Sequence, residues 1–159
     1  MRVKQRFVLF AVCAIAFSSN SMANLTFTGT LQAPPPCTIS NGNNIDIEFN
    51  EIGVNSIDGV NHRKKLNYTI NCSPTNLSWR LWLKVEGSVA DFDPTAIQTD
   101  NPDLGIKVLR NNIGFYINQK LSILLTDPPT IEVIPVKRPN AILDGGDFRA
   151  TAVLLAYYD

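Results

Sequence analysis

Apolar and polar positions alternate in short runs over most of this chain, and the longest run ends at the C-terminus. From Gly146 to Asp159, Phe148, Ala150, Ala152, Leu154, Ala156 and Tyr158 fall on one face of an extended segment. Arg149, Thr151, Val153, Leu155 and Tyr157 fall on the other. One face is wholly apolar and the other mixed, which predicts a strand kept inside a sheet. Ile45–Phe49, Leu66–Cys72 and Trp79–Val85 alternate in the same way. Leu104–Leu109, Ile113–Ile117, Leu121–Leu125 and Ile131–Val136 are further strand candidates. Turn chemistry separates them at Asn41-Gly42, Asp58-Gly59, Asp127-Pro128-Pro129 and Asp144-Gly145-Gly146. Asp93–Ile97 predicts a single helical turn, and hardly any window supports a longer capped helix. Many short strands punctuated by turns predict an all-β sandwich.

The N-terminal end follows a different pattern. Arg2, Lys4 and Arg6 precede an apolar run from Phe7 to Phe17, and Ser21-Met22-Ala23 places small residues at a cleavage site. This predicts a secretory signal over residues 1–23, too short and too early to be a spanning helix. No other apolar stretch approaches membrane length, so the mature chain is expected not to insert in a membrane. Removal of the leader takes three of the 14 bases and none of the 14 acids, leaving a net charge near −3. Nothing in that balance suggests nucleic acid. The dense basic run Arg63-Lys64-Lys65, beside the lone His62, predicts a solvated loop.

Export changes the meaning of the cysteines. Cys13 leaves with the leader, and Cys37 and Cys72 remain as a pair. Two cysteines in an oxidising compartment predict one structural disulfide. A loop of about 35 residues makes it worth roughly 3–4 kcal/mol on the chain-entropy model. Two cysteines and one distant histidine are too few for a zinc site.

The mature N-terminus carries its own strand pattern. Leu25, Phe27, Gly29, Leu31 and Ala33 share one face, and Pro34-Pro35-Pro36 then cut this arm off from Cys37. Three prolines favour an extended spacer and offer no amide donor. Two readings stand: a first strand of the sandwich, or a strand added to the sheet of another molecule.

Enzyme chemistry has little foothold. No G-x-S-x-G elbow, H-E-x-x-H helix or phosphate-cradling glycine loop is present. Asp91, Asp93, Asp100 and Asp103 sit in a predicted loop without calcium-loop spacing. No cofactor or metal is expected. A secreted carbohydrate-binding domain is the alternative from another class, because Trp79 and Trp82 lie on opposite faces of one strand. Of the two, Trp79 is expected to pack in the core.

Taken in order, these features resemble the pilins of chaperone–usher fimbriae. The resemblance rests on the alternating arm with central Gly29 before a Pro-Cys, the pair Cys37 and Cys72, and the C-terminal signature with Gly146 fourteenth from the end and Tyr158 penultimate. Pro35–Ile45 and Ile142–Arg149 are most similar to the minor tip adaptors of P-type pili. The resemblance implies an incomplete immunoglobulin-like β-sandwich lacking its last strand. It divides the chain into a leader (1–23), a donor arm with its spacer (24–36) and a pilin domain (37–159). Leu25, Phe27, Gly29, Leu31 and Ala33 would form the donor strand. Gly146, Phe148, Ala150, Ala152, Leu154, Ala156 and Tyr158 would line the acceptor groove and bind the chaperone. The implied partners are a periplasmic pilus chaperone, an outer-membrane usher, neighbouring pilins and a tip adhesin. The implied destination is the fimbrium at the cell surface, by way of the periplasm. A fibre-terminating or anchoring pilin is a further alternative.

Overall fold

The alternating runs become short antiparallel strands in a computed structural model, which describes residues 22–75 and 78–159. The expected leader lies outside the described residues except for Met22 and Ala23. Two units are described separately, Met1–Gln32 and Ala33–Asp159. In the first, residues 22–32 form neither helix nor strand, and Leu25, Phe27 and Leu31 are exposed.

The second unit carries the strands β1 (Cys37–Ile39), β2 (Lys64–Lys65), β3 (Ile70–Cys72), β4 (Leu81–Gly87), β5 (Val89–Ala90) and β6 (Asp93–Gln98). They are followed by β7 (Leu104–Arg110), β8 (Ile113–Gly114), β9 (Lys120–Ile123), β10 (Ile131–Lys137) and β11 (Ala152–Tyr158). One sheet has the order β2-β10-β7-β6-β5, with β8 added along β7. A second has the order β11-β4-β9, and β1 pairs with β3 in a two-stranded ribbon. Leu83 and Val85 of β4 pack with Ile97, Ile106, Val108, Ile131 and Val133 of the larger sheet, and Phe115 and Ile117 join them. Each such side chain stabilises the fold by roughly 1.5–3 kcal/mol when fully buried.

The predicted strand Leu66–Cys72 is divided between sheets. Its alternation is continuous, but the ladder is carried by β2 against β10 and by β3 against β1. Between them, Leu66 N donates to Ile131 O at 2.9 Å and the Tyr68 hydroxyl donates to the Pro129 carbonyl. Burial pushes the Tyr68 hydroxyl up to about 12. The basic run is therefore not a loop: Lys64 and Lys65 are β2, and Arg63 forms an ion pair with Glu132 of β10 at 3.1 Å.

Asp93–Ile97 is not a helical turn but most of β6. Asp93 Oδ1 accepts bonds from Thr95 N and Oγ1, and Asp93 Oδ2 accepts from Lys107 Nζ at 3.0 Å. Pairing of Ala96, Ile97 and Gln98 with β7 then outweighs the weak local turn signal. Pro94 is tolerated because it stands at the start of the strand. The predicted strand Ile113–Ile117 shortens to β8, flanked by Asn111, Asn112 and Asn118 at φ 45°, 66° and 64°. Asparagine tolerates that left-handed conformation. The run at Ile45–Phe49 alternates in burial yet pairs with no strand, and the C-terminal ladder begins only at Ala152.

The cysteine pair is bonded. Cys37 and Cys72 are direct partners in the β1–β3 ladder, with Cα atoms 4.0 Å apart and a sequence separation of 35.

Two outcomes are expected. The double substitution Cys37→Ser/Cys72→Ser lowers unfolding stability by roughly 3–4 kcal/mol in a denaturant titration. In a pH titration of absorbance, one tyrosine ionises near 12, and Tyr68→Phe removes it. The Tyr68 pKa is raised in the folded state. Its contribution is therefore complete below the unfolded value, near 10, and is lost as pH rises through 10 to 12.

Candidate functional site: an unpaired sheet edge

The hydrogen-bond pattern of β11 fixes which of its backbone groups are free. Asp159 N donates to Arg80 O at 3.0 Å, and Arg80 N donates to Asp159 O at 3.1 Å. Antiparallel ladders exchange both bonds at every second residue. With Tyr157 opposite Trp82, Leu155 opposite Lys84 and Val153 opposite Glu86, the odd-numbered residues bond to β4. The amides and carbonyls of Ala152, Leu154, Ala156 and Tyr158 therefore point the other way, toward an edge where no strand pairs among the described residues. Arg149 keeps the same parity. Its amide donates to Asp100 Oδ1 and its carbonyl accepts from Asp100 N, each at 3.0 Å.

The same even-numbered residues turn their side chains inward. Phe148, Ala150, Leu154 and Ala156 pack against the main core but stay only partly buried. On the far side of the gap, Ile39, Ile47 and Phe49 pack against that core, also partly buried. Residues 44–50 make no backbone–backbone hydrogen bond among the described residues. Two extended segments thus turn apolar side chains to one core, with a slot along the unpaired edge of β11. The slot is not uniform. Phe49 and Phe148 approach with ring centroids 6.0 Å apart, and β1 comes within 8 Å of β11 between Cα atoms without joining its ladder. A strand between two others needs about 9.5 Å, twice the ladder spacing, so these edges must part to admit one.

A concavity of about 410 Å³ lies at the ends of β4, β9 and β11, lined by Trp79, Leu81, Ile123, Leu124, Leu125 and Tyr158 among others. Leu124 is 68% exposed and Leu125 42%. Trp79 is half-buried here, outside the core cluster where it was expected, because it precedes β4 and misses the sheet's inner row. Its place in this concavity was not legible in the sequence, nor was the packing of Ile47 and Phe49 against the main core. That segment's alternation was visible, but not what it faces.

Of the residues singled out beforehand, Phe148, Ala150, Leu154 and Ala156 share the slot's core-facing row, and Tyr158 borders the concavity. Ala152 is exposed on the same parity, near Gly87. Gly146 lies in a bend at φ 158°, and a Cβ added there would meet nothing within 4 Å. Leu25, Phe27 and Leu31 are 77%, 88% and 101% exposed, and a Cβ at Gly29 would likewise meet nothing within 4 Å. Trp82 is not an open stacking platform: Lys120 Nζ stands 4.3 Å and the Arg80 guanidinium carbon 5.6 Å from its ring centroid. His62 Nε2 contacts Ser56 Oγ at 2.6 Å, but that hydroxyl also donates to the Gly53 carbonyl at 2.7 Å. The hydroxyl proton is thereby engaged, and the imidazole acts as a loop clamp.

An immunoglobulin-like sandwich with open sheets, whose β11 edge pairs with no strand among the described residues, defines the fold. Residues 25–159 match the family model described as fimbrial protein, and the chain belongs to that family. It is 32% identical to the uncharacterized fimbrial-like protein YfcQ of Escherichia coli K12, over 98% of this chain and 99% of that protein. It is 28% identical to the fimbrial adapter PapF of Escherichia coli, over 79% and 81% of the two chains. The solved structure of the P pilus adaptor subunit PapF matches with TM-score 0.54 and 29% identity, covering 80% of this chain and 98% of that one. The P pilus rod subunit PapA matches with TM-score 0.58 at 18% identity, covering 86% and 100%, a likeness of fold.

The edge assignment gives a direct expectation for hydrogen exchange on the free chain. The amides of Val153, Leu155 and Tyr157 exchange slowly, and those of Leu154, Ala156 and Tyr158 at least about tenfold faster. Uniform protection along β11 would show that the edge is already paired.

Proposed function

We propose that this fimbrial subunit is a minor adaptor that polymerises by donor-strand exchange. The arm Asn24–Ala33, with Leu25, Phe27, Gly29, Leu31 and Ala33 on its apolar face, enters the slot of one neighbour. The subunit's own slot, along Phe148, Ala150, Ala152, Leu154, Ala156 and Tyr158, receives a strand from another. Gly146 begins that segment. The observation that carries this reading is the unpaired even-numbered edge of β11 in a chain whose exposed arm has the same two-residue period. The likeness to PapF supports an adaptor role over a rod role.

The physical chemistry also calls for a carrier before assembly. An apolar slot bordered by unpaired backbone is an aggregation hazard, so a periplasmic chaperone lends a strand until an outer-membrane usher hands the subunit to the fibre. Residues 1–23 act as the export signal, 24–36 as donor arm and spacer, and 37–159 as the pilin domain. The site of action is the fimbrium at the cell surface, between other pilins and a tip adhesin. The role is structural and requires no catalysis.

One observation favours a second reading. The close approach of β1 to β11 suits a terminating subunit whose slot admits no strand. A carbohydrate-binding role draws less support, because cations already cover Trp82.

Thermal unfolding of the mature chain, alone and with a purified periplasmic pilus chaperone, tests the proposal. Burying apolar donor side chains at roughly 1.5–3 kcal/mol each should raise the midpoint by at least roughly 10 °C. A midpoint unmoved by the chaperone, in a chain that is a stable monomer on its own, would sink the strand-accepting role.

A further inference from the structure

We infer that Asp100 is a positioning residue for the slot: it stands in for the length that β4 lacks and holds Phe148 and Ala150 in line with the open edge of β11. The inference rests on the strand-accepting role proposed above. It adds a residue of the β6–β7 turn that sets how much of the edge a strand can use.

The need for such a residue comes from the path of β4. Its ladder with β11 ends where Gly87 meets Ala152. Continued by three residues, the same register would set Arg149 opposite Ala90. Ala90 is not there to receive it, because it is buried in β5 and pairs with Asp93 in the larger sheet. Ser88 has already crossed over, since its carbonyl accepts from Gln98 N at 2.8 Å. The chain just before β11 has thus lost its strand partner, although Phe148 and Ala150 still pack against the main core. An extended segment with no partner holds its side chains loosely, because few bonds oppose its backbone entropy.

Asp100 supplies both halves of the missing pair. Its Oδ1 accepts from Arg149 N at 3.0 Å, and its own amide donates to Arg149 O at 3.0 Å. In a ladder the partner residue offers an amide and a carbonyl; here a carboxylate oxygen replaces the carbonyl, in a charge-assisted bond. Parity then decides what stays free. Arg149 is odd-numbered, so both bonds lie on the side that β4 occupies further along. Phe148 and Ala150 make no backbone–backbone hydrogen bond among the described residues. Their amides and carbonyls extend the open edge upstream of Ala152.

The turn that carries Asp100 is internally tied. Thr99 Oγ1, on a buried residue, accepts from Asn101 N at 3.1 Å and donates to Leu104 O at 2.8 Å. Gln98 Nε2 donates to Asn101 O at 2.8 Å, and Asn101 Oδ1 accepts from Asp103 N at 2.9 Å. The same turn holds the far end of the crossover from β10. There Arg138 Nε donates to Asp103 Oδ1 at 2.6 Å and Arg138 N donates to Asp103 O at 2.8 Å. Between the two holds, Leu143 is buried with Ile57 and Leu104. The grip at Arg149 is on backbone atoms alone, and that residue is exposed.

Amide hydrogen exchange read by NMR, on the mature chain in complex with a purified periplasmic pilus chaperone, tests the clamp. In the wild type the complex should slow the amides of Ala150, Leu154 and Ala156 together. In Asp100→Ala, Leu154 and Ala156 should still be slowed, while Ala150 exchanges at least about tenfold faster than in the wild-type complex. Asp100→Asn, which keeps an Oδ1 acceptor, should restore Ala150, and Arg149→Ala should leave it unchanged. If the chaperone slows no even-numbered amide of the wild type, the strand-accepting role fails and the inference with it. If it slows Leu154 and Ala156 but Ala150 is fast in the wild type, or equally slow in Asp100→Ala, the clamp is overturned while the strand-accepting role stands. Failure of Asp100→Asn to restore Ala150, or its loss in Arg149→Ala, would assign the effect to charge and also overturn the clamp. So would faster exchange in Asp100→Ala at Leu109 and Ile134, in the middle of the larger sheet, which would make Asp100 a residue of general stability.

Discussion

The fold is organised around backbone groups that pair with no strand among the described residues. The odd-numbered residues of β11 bond to β4, and the amides and carbonyls of Ala152, Leu154, Ala156 and Tyr158 stay open on the other side. In most sandwiches a final strand would take them. Here no strand among the described residues takes them, and the amide and carbonyl of Asp159 are tied to Arg80 on the other side. The consequence spreads inward: Leu83 and Val85 are covered from the larger sheet, but the row from Phe148 to Ala156 is covered only in part. A core sealed on one side and exposed along a strip is stable in proportion to what fills the strip.

The approach of β1 and Phe49 toward β11 and Phe148 follows from the same constraint. Apolar side chains bordering an empty strip gain by closing on one another. They do not complete a ladder: residues 44–50 pair with no strand among the described residues, so backbone groups stay unpaired even where side chains touch. Partial closure of this kind lowers the exposed apolar area without satisfying the polar edge. A strand that enters must undo the first effect and is rewarded by the second. Entry should therefore be slow to begin and hard to reverse once the bonds form.

Much of this was legible in the sequence, and the omissions have physical causes. Alternation identified β4, β7, β10 and β11 because their inner faces are continuous apolar rows. It could not show that Leu66–Cys72 changes sheets at Tyr68, since the side-chain period is the same on either ladder. It missed β6, where Asp93 and Pro94 look like a turn and only pairing with β7 reveals a strand. Lys64 and Lys65 likewise looked like a loop because charge, not periodicity, dominated the window. The alternation from Gly146 to Tyr158 was readable as a strand, although its ladder begins only at Ala152. The contact of Phe49 with Phe148 and the concavity at Trp79 depend on distant segments meeting and leave no local signal.

The disulfide gains a meaning from where it stands relative to the arm. On the proposed role, a subunit held in a fibre would be loaded between its donated arm and its filled slot. Force on the arm reaches the domain at Cys37, directly after three prolines that cannot share it through hydrogen bonds. β1 is only three residues long and pairs only with β3, so its few ladder bonds would otherwise be the first to peel. The covalent tie to Cys72 passes that load into β3 and then along the continuous segment through Tyr68 to β2 and β10. There Leu66 N bonds Ile131 O and the Tyr68 hydroxyl bonds Pro129 O. The bridge at Cys37 thus connects the one weakly paired strand next to the arm to the best-packed sheet of the sandwich. That placement serves a chain under tension better than its modest loop entropy alone would explain.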